Sequence, residues 1–323
     1  MAALALLLLL GAAVPASAQR TDPSLADLAV RLSSMTAITG YEQPMIDSLL
    51  ALVPGSTRDR AGNAVLVLGS GARRRLVACP VSEPGFVVGQ VRDDGWLTLR
   101  RSAGQAGPTL ERQIEGQRVT VFGRRGGVPG VVGVRSIHLT RGRSAGGDGA
   151  FTVDSAYVDI GAASRSDVVG AGVNVLSPVT LAKRPQRYGT ELLAAPVAGR
   201  RAACAALVLA ARQAVAEQGM VPRGESVIVA FVVEQDLSRR GLATVARMRG
   251  PFVETVLLDA GDGPPGRVTQ ARDSALATRW PTLGAAARWT IGVRYPGSAV
   301  ETTSLTGADS LRAVLARWIG EAR

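Results

Sequence analysis

Few side chains in this 323-residue sequence are equipped for catalysis, and the best placed are acids. Glu234 and Asp236 follow the apolar run Val227–Val233, and Asp259 follows the apolar run at 255–258. An apolar run of this kind reads as a strand covered on both faces. Between the two runs, Leu242, Val245 and Ala246 recur at helical spacing within Arg240–Arg249. The stretch 227–266 is therefore a predicted strand–helix–strand unit with a carboxylate closing each strand. In open α/β sheets, ligands and chemistry collect at that edge. A plainer reading stands beside it: strands end where the chain returns to water, and acids are soluble there.

The remaining reactive side chains narrow the chemistry. There is one histidine, His138, and there are two cysteines, Cys79 and Cys204. A Ser-His-Asp triad would have to use His138, the one histidine of the chain. A Cys-His pair would depend on the same distant histidine. No phosphate-cradling P-loop occurs. Catalytic zinc needs about three protein ligands and an open position for water. Glu234 and Asp259, even with Asp262 near, are hard oxygen donors that suit Ca²⁺ or Mg²⁺ weakly. By its place alone, Glu234 reads as a helix-capping acid. His138 falls in a β-rich region, where it reads as a structural loop contact. Cys79 and Cys204 read either as a disulfide or as two small buried residues.

The elements that must position these groups follow from composition and pattern. The chain is 46% hydrophobic and 20% charged, which makes it globular, and only 4% aromatic, so its core is built from Val, Leu and Ala. Its net charge of +11 comes from scattered arginines, Lys183 being the only lysine. No stacking motif or recognition helix accompanies the charge, so nucleic-acid binding is not expected. Ala2–Leu10 is apolar and is followed by Ala16-Ser17-Ala18, the pattern of an export signal over 1–18. That predicts an exported protein, periplasmic or extracellular, with no membrane span. Asp22-Pro23 suits the start of a first helix, and Gln43–Leu52 forms a second. Short strands over 56–59, 64–68 and 75–79 come next. Beyond Gly85 a run of short β stretches, with Gly- and Ser-rich gaps such as Arg141–Gly149, predicts a small barrel over 86–182. The flanking parts, 19–85 and 183–323, form a discontinuous α/β domain. Helices are predicted over Arg201–Gln218 and 309–322, with a strand around 289–295.

Several short segments, in this order, carry a resemblance. They are Ala61-Gly62-Asn63, Gly130-Val131-Val132-Gly133 with His138-Leu139, Tyr157-Val158-Asp159-Ile160-Gly161-Ala162, and Arg201-Ala202-Ala203-Cys204. The loop Asp259–Gly266 and the stretch Arg294-Tyr295 through Val300-Glu301 complete the series. Together they resemble the glutamyl/leucyl aminopeptidases that form tetrahedral (TET) particles, over nearly all of the chain beyond the leader. The resemblance implies a mixed central sheet flanked by helices, an inserted β-barrel, two zinc ions, and assembly into homo-oligomers through the barrel.

Carried over position by position, it also implies an altered site. Pro80 stands where the family's first histidine ligand belongs, and Ser82 where an acid orients it. Gly199 takes the place of the bridging aspartate, Gln235 of a glutamate ligand and Gly297 of the last histidine. Glu234 keeps the general-base position and Asp259 keeps a ligand position. The interval from Asp259 to the last loop is shorter than in the family. The expectation is a homologue with no bound metal that binds peptides or an assembly partner without hydrolysing them. The alternative is an active metallo-aminopeptidase.

Overall fold

The computed structural model describes residues 23–102, 108–133, 151–217 and 219–321. The leader at 1–18, Asp22, His138 and the Arg141–Gly149 loop lie outside the described residues.

The chain begins with α1 (Leu25–Ser34), α2 (Gln43–Leu52), β1 (Thr57–Arg58), β2 (Ala64–Gly69) and β3 (Arg73–Pro80). It continues through β4 (Phe86–Val91), β5 (Leu97–Arg101), α3 (Pro108–Gln113), β6 (Arg118–Gly123) and β7 (Gly126–Val132). After these come β8 (Tyr157–Asp159), α4 (Arg165–Gly170), β9 (Pro178–Leu181), β10 (Gln186–Tyr188) and β11 (Leu192–Ala194). The next elements are α5 (Ala198–Ala216), β12 (Glu225–Val232), α6 (Arg240–Arg249) and β13 (Glu254–Asp262). The last are β14 (Val268–Arg272), α7 (Ser274–Arg279), β15 (Ala285–Val293), β16 (Thr302–Ser304) and α8 (Leu305–Gly320).

Seven strands make the central sheet in the order β1-β2-β12-β3-β13-β15-β14. The inner strands β12, β3, β13 and β15 run parallel, and β2 and β14 join antiparallel. Every residue of β12 is buried, as its unbroken apolar run requires. One sheet face packs on α1, α5 and α8 through Leu28, Leu32, Leu207, Leu311 and Trp318. The other buries Leu242 and Val245 of α6 against Ile228 and Leu257. Strands β4-β5-β8-β7-β6-β9 close a barrel around Phe86, Leu99, Val121 and Val158. In sequence the barrel lies between β3 and β10, so the predicted architecture of a mixed sheet with an inserted barrel is the observed one. No helix among the described residues is long and apolar enough to cross a membrane.

Several boundaries differ from the sequence reading. Ser24 caps α1, its hydroxyl accepting from the Asp27 N–H at 3.1 Å. Helix α8 starts at Leu305 behind the Ser304 cap, a turn before Asp309. Strand β13 does not stop at Leu258: its pairing with β15 runs on to Asp262 opposite Val293. Asp259 therefore lies within a strand. Backbone pairing continues there regardless of side-chain polarity, which is what an apolar-run criterion misses. Strands β14 and β16 and the short helices α3, α4 and α7 were not predicted, because elements this brief carry too few residues to show a period.

Cys79 of β3 and Cys204 of α5 are joined as a disulfide that closes a sequence separation of 125 residues. Of the two readings of the cysteines, pairing holds, and both residues are also buried.

Candidate functional site

The parallel strands β3, β12, β13 and β15 all end on one edge of the sheet, and the start of α5 abuts it. That edge gathers the positions marked by the sequence: Pro80 ends β3, Glu234 and Gln235 follow β12, and Asp259 lies near the end of β13. Gly199 sits in the first turn of α5, and Gly297 in the loop after β15.

The Asp259 carboxylate is held by an arginine. Arg200 brings Nη2 to 3.1 Å and Nε to 3.3 Å of Asp259 Oδ1, while its Nη1 donates to the Ser82 carbonyl at 2.7 Å. The Ala260 N–H donates to the same carboxylate oxygen at 2.9 Å. Arg288 Nη1 stands 3.7 Å from Oδ2, and Arg288 also pairs with Asp273 at 2.8 Å. Burial pushes the Asp273 carboxyl up, but the Arg288 hydrogen bond and the Leu276 N–H outweigh it and hold the group below the usual range.

The two glycine positions are tied together by Glu301. Its Oε1 accepts from the Gly199 N–H and its Oε2 from the Gly297 N–H, both at 3.1 Å. Burial raises the Glu301 pKa; these two N–H donors and the Arg200 charge only partly offset that. Gly199 has no room for a side chain: a Cβ there would stand 2.4 Å from Val293 Cγ1 and 2.9 Å from Ala260 Cβ.

On the opposite side, Glu42 organises the loop after β12. Its Oε1 accepts from the Glu234 N–H at 2.8 Å and from Ser82 Oγ at 2.7 Å, and Ser82 Oγ accepts from the Gln235 N–H at 3.0 Å. Burial raises the Glu42 pKa against these donors. Asn63, in the Gly-Asn turn singled out by sequence, accepts from the Val233 N–H at 2.9 Å and donates to the Gly241 carbonyl at 3.0 Å. It thus ties the early turn to both ends of this loop. The Glu234 side chain pairs with exposed Arg240 at 3.3 Å. Gln235 Oε1 is buried with no hydrogen-bond partner among the described residues. No group of three His, Cys, Asp or Glu among the described residues is placed to hold a metal ion.

The structure thus brings together Pro80, Gly199, Glu234, Gln235, Asp259 and Gly297 on one edge. His138 lies outside the described residues. Arg200, Arg288, Glu42 and Glu301 were not singled out by the sequence reading. Nothing local marks Arg200 among so many scattered arginines, whereas Glu301 already stood inside a recognised motif.

Sheet order and inserted barrel together define a mixed α/β protein with a closed six-stranded barrel. A model of the M42 glutamyl aminopeptidase family matches residues 62–261, and the chain belongs to that family. An Escherichia coli (strain K12) protein described as "Putative aminopeptidase SgcX" is 30% identical over 222 residues, 67% of this chain and 57% of its own. The lysyl aminopeptidase of Pyrococcus furiosus is 27% identical over 192 residues, 58% of this chain and 54% of its own. The chain thus spans little more than half the length of these two relatives. Among solved structures, the Pyrococcus horikoshii TET1 peptidase, which can assemble into a tetrahedron or a large octahedral shell, superposes with a TM-score of 0.80. That match has 19% identity and covers 93% of this chain and 100% of that one. Aminopeptidase APDkam598 from Desulfurococcus kamchatkensis gives a TM-score of 0.76 at 18% identity, over 92% of this chain and 95% of its own.

Proposed function

We propose that this chain is a non-hydrolytic member of its family, in which an arginine clamp has replaced the metal centre and the cleft binds peptides. The observation that carries this reading is the Arg200 guanidinium seated on Asp259, the one ligand position that keeps a carboxylate. A guanidinium is always charged and cannot coordinate a metal, so on Asp259 it competes with one. Pro80, Gly199 and Gly297 offer no side-chain donor, and Gln235 offers a neutral amide. This donor set does not fit a pair of zinc ions. Without a metal to lower the pKa of water, Glu234 has no activated nucleophile to serve.

Two further features belong to the proposal. The leader pattern at 1–18 sends the protein out of the cytoplasm, an environment that also preserves the Cys79–Cys204 bond. The barrel mediates homo-oligomerisation, which the assemblies of the TET1 peptidase support.

The deciding experiment is to saturate the purified protein with zinc, desalt it, and measure both metal content and hydrolysis of aminoacyl-nitroanilides. The expected result is near-zero zinc and no chelator-sensitive turnover. Tightly held stoichiometric zinc, with hydrolysis abolished by a chelator and by Glu234→Gln, would establish the active aminopeptidase instead.

Restoring an acid at the bridging position is a second check. Gly199→Asp is expected to destabilise the fold by about 1–3 kcal/mol through overpacking against Val293 and Ala260. Urea unfolding measures this. A variant as stable as the parent would mean that the space is open after all.

A further inference from the structure

The surroundings of Arg239 on this edge carry more guanidinium than carboxylate. Arg200 is committed to Asp259 and the Ser82 carbonyl, and Arg288 to Asp273 and Asp259. Arg279 lies over the Trp280 ring at 4.7 Å. The Arg239 guanidinium, half-buried at the end of the loop after β12, has no hydrogen bond or ion pair among the described residues. Burial and the charges of Arg288 and Arg279 push its pKa down, against the pull of Asp273 and Asp259. Around Arg239, three guanidiniums, its own and those of Arg288 and Arg279, thus face two carboxylates, Asp273 and Asp259, the second of which Arg200 also holds. The acids on the same loop are engaged elsewhere: Glu234 pairs with Arg240, and Asp236 accepts from Thr39 Oγ1 at 2.9 Å.

The backbone there is also held in an unfavourable shape. Glu234, Ser238 and Arg239 have φ of +53°, +54° and +56°, and in the loops at the start of α5 and after β15, Val197 and Tyr295 have +51° and +54°. Left-handed non-glycine residues are costly and cluster at ligand sites, where the surrounding structure imposes them. In this loop the strain fixes an unpaired, part-buried cation beside further cations, and the same loop buries an acceptor, Gln235 Oε1, with no donor.

We propose that Arg239, with Arg288 beside it, seats a ligand carboxylate, so that the cleft takes a peptide by its C-terminal end. An aminopeptidase has to accept the ammonium group of its substrate. An excess of guanidinium repels an ammonium and attracts a carboxylate, whose two oxygens match the guanidinium fork. The inference rests on the reading of the cleft as a peptide site. Phosphate shares the fork-matching geometry and is included in the test.

The test is calorimetric titration of the full-length protein with tetra-alanine, its C-terminal amide and its N-acetyl form. Amidation should weaken binding about 10–100-fold, the value of one charge-assisted pair. Acetylation should leave it within about twofold, and it should tighten binding if the ammonium is repelled. Arg239→Gln should reproduce the loss for tetra-alanine without changing the weaker binding of the amide, and Arg239→Lys should restore part of it. Peptide binding indifferent to amidation or to Arg239→Gln overturns this inference while leaving the peptide-site reading standing. Inorganic phosphate binding through Arg239 with no peptide bound overturns both. Zinc-dependent hydrolysis of the free-ammonium peptide overturns the parent reading by a separate readout.

Discussion

Glu83→Gln is expected to lower the unfolding free energy by about 3–5 kcal/mol, the cost of removing one partner from a buried ionic cluster. Glu83, Lys183 and Arg201 are all nearly inaccessible, with side chains 2%, 3% and 1% exposed. Glu83 Oε2 accepts from Arg201 at 2.6 Å and from the Lys183 ammonium, and its Oε1 accepts from the Ala37 N–H at 3.0 Å. Lys183 also donates to the Met35 carbonyl at 2.5 Å. One anion therefore ties the loop after α1, the strand that leads into the barrel, the segment that leaves it, and α5. A neutral glutamine would leave two buried cations facing each other without a counter-charge.

The directions of the pKa shifts agree with this charge count. Burial pushes the Glu83 carboxyl up, but two cations outweigh it and hold it below the usual range. Lys183 is lowered to about 8, because burial and Arg201 outweigh the one anion it shares. The two partners thus disagree about the strength of their pair, and the count explains why: Glu83 has two counter-charges and each cation has half of one. For Glu83 the folded pKa lies below the unfolded value of about 4.3. Its contribution is present in full above that value and is lost as pH falls through the folded pKa. Lys183 works the other way, since its ionised form is penalised in the fold. That penalty is complete below about 8 and fades as pH rises toward the unfolded value of about 10.4. Urea unfolding at pH 7 and at pH 3 should therefore show the gap between parent and Glu83→Gln narrowing in acid. Lys183→Met should cost much less than Glu83→Gln, because Arg201 still faces the carboxylate and a costly burial is relieved. A Glu83→Gln variant within about 1 kcal/mol of the parent at pH 7 would refute the argument, since loss of a buried counter-ion exceeds that.

The second large effect is expected from the disulfide. Replacing both Cys79 and Cys204 by alanine should destabilise the protein by about 5 kcal/mol in the chain-entropy treatment. The size follows from the separation of 125 residues, which encloses the whole barrel in the closed loop. Both cysteines sit in the main core, Cys204 on α5 itself and Cys79 on β3, so the bond also anchors that helix at the edge where Arg200 projects. Thermal melting of the double variant gives the loss. Thiol titration of unfolded, unreduced protein gives an independent check, and two reactive thiols would contradict the bond.

How much of this was visible beforehand varied with the length scale of the interaction. Helices α2 and α6 fall on the predicted residues, because each must bury one stripe and the stripe is written in the spacing of its apolar residues. Strand β12 was legible for the same reason, being covered on both faces. Asn63 was recognisable as a motif but not as a clamp, since its partners Val233 and Gly241 lie about 170 residues away in sequence. Edge strand β14 and the two turns of α7 were invisible, because pairing and capping hold them more than any apolar pattern does.

The sequence alone determined the layered α/β architecture, the inserted barrel and the family. These follow from local periodicity and from short ordered motifs. Only the tertiary structure decided which charges meet. Arg200 and Asp259 are 59 residues apart, Glu83 and Arg201 are 118 apart, and Cys79 and Cys204 are 125 apart. Nothing in a string of scattered arginines says which one will be carried onto which acid. The turn of α5 against the ends of the parallel strands makes that choice: burial there turns a charge that would be indifferent at the surface into one that must find its partner.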